Sequence, residues 1–472
     1  MKTLPLGWLR LNRAEPDLIN QLCCALRERI LAGVLGSGAR LPSTRTLAKA
    51  CGVSRSTAVE AYGRLQAEGF LEATEGGSTR VAPFLEMPSP QRLASRPTNT
   101  TENATEALPF QPGSPGLDDF PHKIWTRCLA ASGRSLIDKA LDYHSNSNDR
   151  RLRQAICEHL SIRRGVNADV QQIVIMPSTS TILDVVARIT AAMSGITASA
   201  WIEEPGYASA QVILPKAGFA LSGVPCDNSG IAIAQATGSP PNLIYVTPSH
   251  QYPTGVTMTL TRRLELLRLA QNCNALIIED DYDSEFQYDG SPIAALQSID
   301  RGQCVAYLGT FSKVMAPGLR VAYAVLPHHL VDPVLAAQRE RGLYVSAHIQ
   351  TAMSDFIADG HLRAHIRTMN RIYKARMAML KDALSRHGSG TFDVPNGGGG
   401  LQLAVWFSDR LIDDVLCAER LRIAGYGVQA LSGFFIGRSR SGLLLGVGTI
   451  PENIDKSVKQ LVKVVNDSRA RG

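Results

Sequence analysis

The chain has 472 residues, more than a single hydrophobic core sustains, so at least two domains are expected; 44% hydrophobic and 19% charged residues exclude a mostly disordered chain. The start, MKTLPLGWLRLNR, lacks the apolar core of a signal peptide, and no stretch approaches about 18 uninterrupted apolar residues, which argues against secretion and membrane spanning. Nine scattered cysteines, with no C-x-x-C pair and no His cluster at zinc-like spacing, read as reduced thiols of a cytoplasmic protein without a metal site, and the net charge of +7 informs only when divided along the chain.

Residues 1–83 carry 11 Lys/Arg against 7 Asp/Glu, a basic bias that suits contact with phosphates. Within them PDLINQLCCALRERILAG sets Ile19, Leu22, Leu26 and Ile30 on one face at helical spacing, and Gly33 can stop that helix. A second, short helix fits PSTRTLAKA, opened by Pro42 and Ser43. Cys51, Gly52 and Val53 form a tight turn, and Ser54 caps a third helix running through Tyr62 and Leu65 to Gly69. Two strands, around FLEAT and STRVAPF, flank Glu75-Gly76-Gly77 as a hairpin does.

A helix, a helix-turn-helix and a β-hairpin in that order make a winged helix-turn-helix, whose third helix enters the major groove. The spelling ILAGVLGSGARLPSTRTLAKACGVSRSTAVEAYGRLQAEGFLEATEGGSTRVA resembles the GntR family of bacterial regulators almost throughout. The resemblance implies that Arg55 and Thr57, at the exposed start of the third helix, reach base edges, while Ser43, Thr44 and Arg45 hold phosphates. Ser43 and Ser54 also read simply as helix caps. The wing tip, Gly76-Gly77-Ser78-Thr79, departs from the family's usual Gly-Ser-Gly-Thr.

From about Phe84 to Pro115 the chain is rich in Pro, Ser, Thr and Asn and lacks an apolar period, which reads as a linker. The expected domains are therefore 1–83, a linker over 84–115, and 116–472. Beyond the linker, helical stretches alternate with short apolar runs: IVIM (173–176), LIYVT (243–247), ALIIED (275–280) and VAYLGT (305–310). Such runs are buried strands of a mainly parallel sheet, so the body is α/β.

The sharpest motif is GTFSKVMAPGLRVAY, from Gly309 to Tyr323. A lysine at a strand end is usually a surface charge, but Lys313 sits among Thr310, Ser312, Pro317, Gly318 and Arg320, surroundings that suit an anion-anchored aldehyde cofactor. In that case Lys313 condenses with the aldehyde, while the hydroxyls and Arg320 bind a phosphate. MPSTSTILDVV places Ser178, Thr179 and Ser180 at a helix start, a natural phosphate seat. TPSHQYPTG, IIEDDYDSEF and EEPGYAS complete a series of motifs in the order found in fold-type I aminotransferases.

This resemblance implies pyridoxal 5'-phosphate (PLP) as cofactor. Asp280 would meet the pyridine nitrogen, the Tyr282 hydroxyl the 3'-oxygen, and Tyr207 would stack on or gate the ring. Asp281 and Asp283 are then structural or surface residues. A GntR-type head on such a body is similar to the MocR subfamily: an α/β chain with an N-terminal winged helix-turn-helix domain and a large fold-type I PLP-dependent aminotransferase-like domain.

The implied function is a DNA-binding transcriptional regulator that senses PLP, or an amine or amino acid effector through aldimine chemistry at Lys313. Its implied partners are a double-stranded DNA operator and a second copy in a head-to-tail homodimer. In such a dimer Tyr143 would reach the other subunit's phosphate, or else it is a core tyrosine. Departures are Tyr252, where aminotransferases usually present Asn, and Leu444 on the strand where a carboxylate-gripping arginine is expected. That leaves Arg438 or Arg440 as the effector clamp and points to little transaminase turnover. The alternative is an active PLP-dependent aminotransferase with an appended DNA-binding head.

Overall fold

The computed structural model describes the chain apart from residues 1–10, 14–16, 74–77, 84–106, 136–148, 196–197, 289–292, 396–398, 438 and 470–472. It forms two compact units, Met1–Asn103 and Ala104–Gly472.

In the first unit, α1 (Leu18–Leu31), α2 (Thr44–Cys51) and α3 (Arg55–Ala67) precede an antiparallel pair, β1 (Leu71–Glu72) and β2 (Arg80–Val81). Each helix starts where a short polar side chain caps it. Asp17, Ser43 and Ser54 accept hydrogen bonds from the backbone N–H of Asn20, Thr46 and Thr57. The turn between α2 and α3 depends on Gly52, whose φ of +63° is a conformation that favours glycine. Leu22, Leu26 and Ile30 of α1, Leu47 of α2, and Ala58, Ala61, Tyr62 and Leu65 of α3 close one core with Leu71 and Val81. Truncating one of its fully buried leucines to alanine costs about 2–5 kcal/mol.

The second unit contains α4 (His122–Ser135), α5 (Arg150–Arg164), β3 (Ile173–Met176), α6 (Thr179–Ser194), β4 (Ser199–Glu204), α7 (Ala208–Lys216), β5 (Ala220–Asp227), β6 (Gly230–Ile231) and β7 (Leu243–Val246). It continues with α8 (Leu260–Cys273), β8 (Leu276–Asp281), β9 (Val305–Thr310), β10 (Ala322–Val325), α9 (His328–Arg341), α10 (Ala347–Ala358) and α11 (His361–His387). The last elements are β11 (Phe392–Asp393), β12 (Gln402–Phe407), α12 (Asp414–Ile423), β13 (Gln429–Ala430), β14 (Gly442–Gly446) and α13 (Ile454–Arg469).

An eight-stranded sheet has the order β3-β10-β9-β8-β7-β4-β5-β6. β9, β8, β7, β4 and β5 are parallel neighbours, whereas β10 runs against both its neighbours and β6 against β5. The four apolar runs picked out in the sequence are β3, β7, β8 and β9, with ends within one residue of expectation. Their near-complete burial explains why they lack a polar alternation. The carboxyl ends of β4, β7, β8 and β9 therefore lie along one edge, where open α/β sheets hold their ligands.

A second, antiparallel sheet, β11-β12-β14-β13, shares a core with α11, α12 and α13. One boundary differs from the sequence reading. Residues 107–115, assigned to the linker, belong to the body, because Phe110 is fully buried in this second core. The backbone there is also bonded into the body: Phe110 N–H donates to the Thr449 carbonyl, and Gly446 and Gly427 N–H donate to those of Phe110 and Pro109. Two apolar side chains, Leu108 and Phe110, set among prolines carry no periodicity that marks them as part of a core. Residues 84–106 lie outside the described residues.

Candidate functional site

At the carboxyl edge of the large sheet a cavity of about 350 Å³ is lined by Lys313, Asp280, Tyr282, Thr310, Ser312, Arg320, Ser178, Thr179, Ser180 and Tyr207. These residues come from segments more than 140 positions apart, and the structure brings all ten together. Tyr143 and Arg438 lie outside the described residues. A larger groove, about 680 Å³, opens at the amino ends of β7 and β8, but no charged side chain lines it. Its Cys304 thiol is pushed up to about 12 by burial and by Asp300, which makes it a poor nucleophile at neutral pH.

Asp280 is the penultimate residue of β8, with its side chain buried. The Tyr245 hydroxyl donates to its Oδ2 at 2.5 Å, while Oδ1 is buried with no hydrogen-bond partner among the described residues. Burial pushes this carboxyl up to about 6, against the lowering effect of the Tyr245 bond. Lys313 Nζ donates to the Gly113 carbonyl at 2.6 Å, and burial lowers its pKa while Asp283 and Asp280 pull the other way. A lysine whose charged form is penalised is nearer to the neutral amine that attacks a carbonyl.

The cavity's other end carries groups that could hold an anion. Ser178 caps α6, its hydroxyl accepting from Thr181 N–H at 3.1 Å and bonding Thr181 Oγ1, so its side chain is committed to the helix. The neighbouring backbone N–H groups at that helix start and the hydroxyls of Thr179 and Ser180 are what remain for a phosphate. Thr310 Oγ1 accepts from Ser312 N–H at 3.1 Å. Arg320 sits exposed at the rim, in the left-handed region at φ +52°, and makes no ion pair among the described residues. An unpaired buried carboxylate oxygen, an amine with a lowered pKa and an anion seat with a spare guanidinium are the donor and acceptor set that a phosphorylated pyridine aldehyde requires. The residues fit PLP.

Aromatic rings form one wall. Tyr207 stacks on Tyr245 with ring centres 6.2 Å apart and meets Tyr252 edge-on at 5.5 Å, and Tyr252 meets Tyr282 edge-on at 5.6 Å. The loop carrying Tyr252 is held from below by Glu203, whose Oε2 accepts from Thr247 N–H and Oγ1 at 3.0 and 2.6 Å. Asp281 and Asp283 are buried supports and not surface residues. Asp281 accepts from Arg164 Nε at 2.9 Å and from the Tyr307 hydroxyl at 2.5 Å, while Asp283 pairs with His250 at 2.9 Å and accepts from Leu401 N–H. Arg164 also donates to Ser249 at 2.5 Å, tying the same loop to β8.

The expected clamp is not formed by Arg440. It donates to Asp393 at 2.8 Å, its guanidinium lies 4.9 Å from the centre of the Trp406 ring, and it does not line the cavity. The carboxylate and the indole ring together hold its guanidinium. Leu444 is fully buried in a small apolar cluster with Ala404, Leu431, Phe434 and Tyr252. Sequence reasoning missed Tyr245, Gln402, Gln429 and Gly113 as lining residues. Tyr245 alone carried a signal, a hydroxyl in an otherwise apolar strand.

In the first unit, Ser43 and Ser54 act as caps, and the Ser54 hydroxyl also bonds those of Ser56 and Thr57, at 2.7 and 2.8 Å. Thr57 is thus occupied within the cap, whereas Arg45 and Arg55 are exposed and Thr44 half-buried. Gly76 and Gly77 of the wing tip lie outside the described residues.

Residues 126–419 match the family aminotransferase class I and II, and residues 18–81 match bacterial regulatory proteins of the gntR family. The chain is 34% identical over 468 residues to the probable rhizopine catabolism regulatory protein MocR of Rhizobium meliloti, covering 95% of this chain and 94% of that protein. It is 31% identical to the pyridoxine biosynthesis transcriptional regulator PdxR of Corynebacterium glutamicum, covering 94% and 95%. Its fold is similar to that of the multiple substrate aminotransferase of Thermococcus profundus, with a TM-score of 0.70 and 24% identity over 78% of this chain and 94% of that one. Among the described residues no helix is long and apolar enough to cross a membrane.

Proposed function

Because the chain belongs to the MocR-type regulators, in which a GntR helix-turn-helix head is joined to an aminotransferase class I and II body, we propose that it is a transcription regulator that binds PLP at Lys313. PLP itself, or an amine or amino acid that reacts at that site, is the signal. The observation that carries this reading is the buried, unpartnered Oδ1 of Asp280 in the cavity that also holds Lys313. A carboxylate oxygen left so costs stability unless a donor arrives, and a protonated ring nitrogen is such a donor.

When bound, PLP supplies an aldehyde that exchanges reversibly with primary amines. Lys313 would hold that aldehyde carbon, Asp280 would keep the ring nitrogen protonated, and Tyr282 would hydrogen-bond the ring's oxygen. The start of α6, with Thr179, Ser180, Thr310, Ser312 and Arg320, would seat the phosphate, while Tyr207 covers the ring. On the DNA side Arg55 reads bases, and Ser43, Thr44 and Arg45 anchor phosphates. A cytoplasmic homodimer, head to tail in arrangement, would present two heads to paired half-sites of a double-stranded operator.

The test combines a visible spectrum of the purified protein, borohydride fixation followed by peptide mass mapping, and gel shifts on a selected operator duplex. The expected result is a yellow protein labelled at Lys313, whose DNA complex changes when PLP or a reactive amine is supplied. A protein that stays colourless and unlabelled with PLP added overturns the reading of the body. Failure to bind any duplex overturns that of the head.

A further inference from the structure

The outward line of α3 carries two residues that the head's own fold does not need. Ala58, Ala61, Tyr62 and Leu65 face the core, and Arg55, Val59 and Gly63 follow one another at intervals of four as a solvent-exposed line beside that face. Val59 is 50% exposed although it is β-branched and apolar, a poor choice for the solvent side of a helix. Gly63 is weaker still as a helix former, yet a Cβ built at that position meets nothing within 4 Å, so no packing inside the chain calls for a glycine. A bare valine and a bare glycine in line with an exposed arginine describe a surface made to be covered.

The neighbouring polar groups are already engaged. Ser56 and Thr57 bond to the Ser54 hydroxyl, and Glu60 pairs with Arg64 at 3.1 Å. The line Arg55–Val59–Gly63 is what α3 can offer a ligand. In a helix-turn-helix this helix lies in the major groove, where the C5-methyl of thymine is the apolar group a base pair presents. Four residues rise about 6 Å, on the order of two base-pair steps of roughly 3.4 Å each.

Building on the DNA-binding reading above, we infer that Val59 is a specificity residue that packs on the C5-methyl of a thymine about two steps from the base met by Arg55. Gly63 provides the clearance that lets α3 sit that deep. The ligand feature is a thymine methyl in double-stranded DNA.

The experiment uses the full chain and a duplex enriched from a random pool. Each thymine of the selected half-site is replaced singly by deoxyuridine, which removes only the methyl group. One replacement is expected to weaken wild-type binding roughly 3- to 10-fold, the size of one lost methyl contact. The Val59→Ala protein should bind thymine and uracil versions of that duplex equally. Gly63→Ala should raise the melting temperature through better helix propensity and yet weaken binding to the same duplex. A glycine with a merely structural role would not separate these two effects.

Wild-type binding indifferent to every uracil, or a Val59→Ala protein that keeps the sensitivity, overturns the inference while leaving DNA binding intact. Unchanged affinity in Gly63→Ala overturns the clearance role. A pool from which no duplex is enriched overturns the DNA-binding reading, and this inference with it.

Discussion

The hydroxyl of Tyr245 donates to Oδ2 of Asp280 at 2.5 Å, from one parallel strand to the next, and so fixes a carboxylate whose other oxygen has no partner. That bond also restrains the rise of the Asp280 pKa that burial causes. Tyr245→Phe should therefore weaken PLP binding roughly five- to tenfold, the value of one ordinary hydrogen bond at about 1–1.5 kcal/mol. An absorbance titration measures it, and an affinity equal to wild type would deny the bond this role.

Cofactor binding should depend on pH through the same carboxyl. Without a ring nitrogen beside it, Asp280 is raised to about 6, whereas a protonated ring favours its ionised form. Binding is then favoured above about pH 6 and weakens as pH falls through that value, because the carboxyl must give up a proton to hold the cofactor. The fall should be shallower in Asp280→Asn, and its midpoint should move upward in Tyr245→Phe. Affinities measured between pH 5 and 8 decide both points.

Asp280 and Asp281 are neighbours with separate tasks. Asp281 and Arg164 form an ion pair with 2% exposure of each side chain, so Arg164→Met leaves a buried charge unpaired and should cost about 3–5 kcal/mol. Denaturant unfolding would show it. Asp280→Asn should change the visible spectrum and the affinity for PLP with a far smaller loss of stability. The reverse pattern would mean that the roles assigned within IIEDDYDSEF are shifted by one residue.

Turnover should be slow. With Arg440 bound to Asp393 and Trp406, and Leu444 inside an apolar cluster, no arginine besides Arg320 lines the cavity among the described residues. Transamination requires the substrate held in one orientation, and a misplacement of about 1 Å can cost ~100-fold. Amino donors and 2-oxo acids should yield lasting spectral changes with product formed at well below about 1 per second, and steady turnover above that rate would contradict this.

What the sequence disclosed follows from how local each signal is. Lys313 and the Ser178–Ser180 helix start each stand in a short motif whose chemistry is set by immediate neighbours, so they could be named before any fold was known, whereas Asp280 was told apart from Asp281 and Asp283 only through the resemblance to fold-type I aminotransferases. The head was legible for the same reason, with caps, turn glycine and apolar face all within a few residues. Tyr245, Gln402 and Gly113 enter the site only through tertiary placement, Gly113 from 200 positions away along the chain. Arg440 shows the converse: proximity in sequence to the expected strand suggested a clamp, and a cross-strand acid and an indole ring drew it elsewhere.

The segment 107–115 sets where this protein can be cut. A body released at residue 116 would lack Phe110, which is fully buried, and the carbonyl of Gly113 that receives Lys313. Such a fragment would carry a hole where an aromatic ring had been and a reactive amine without its acceptor. Its failure to hold PLP would say nothing about the intact chain. Any dissection into separate halves has to leave Leu108 and everything after it with the larger piece.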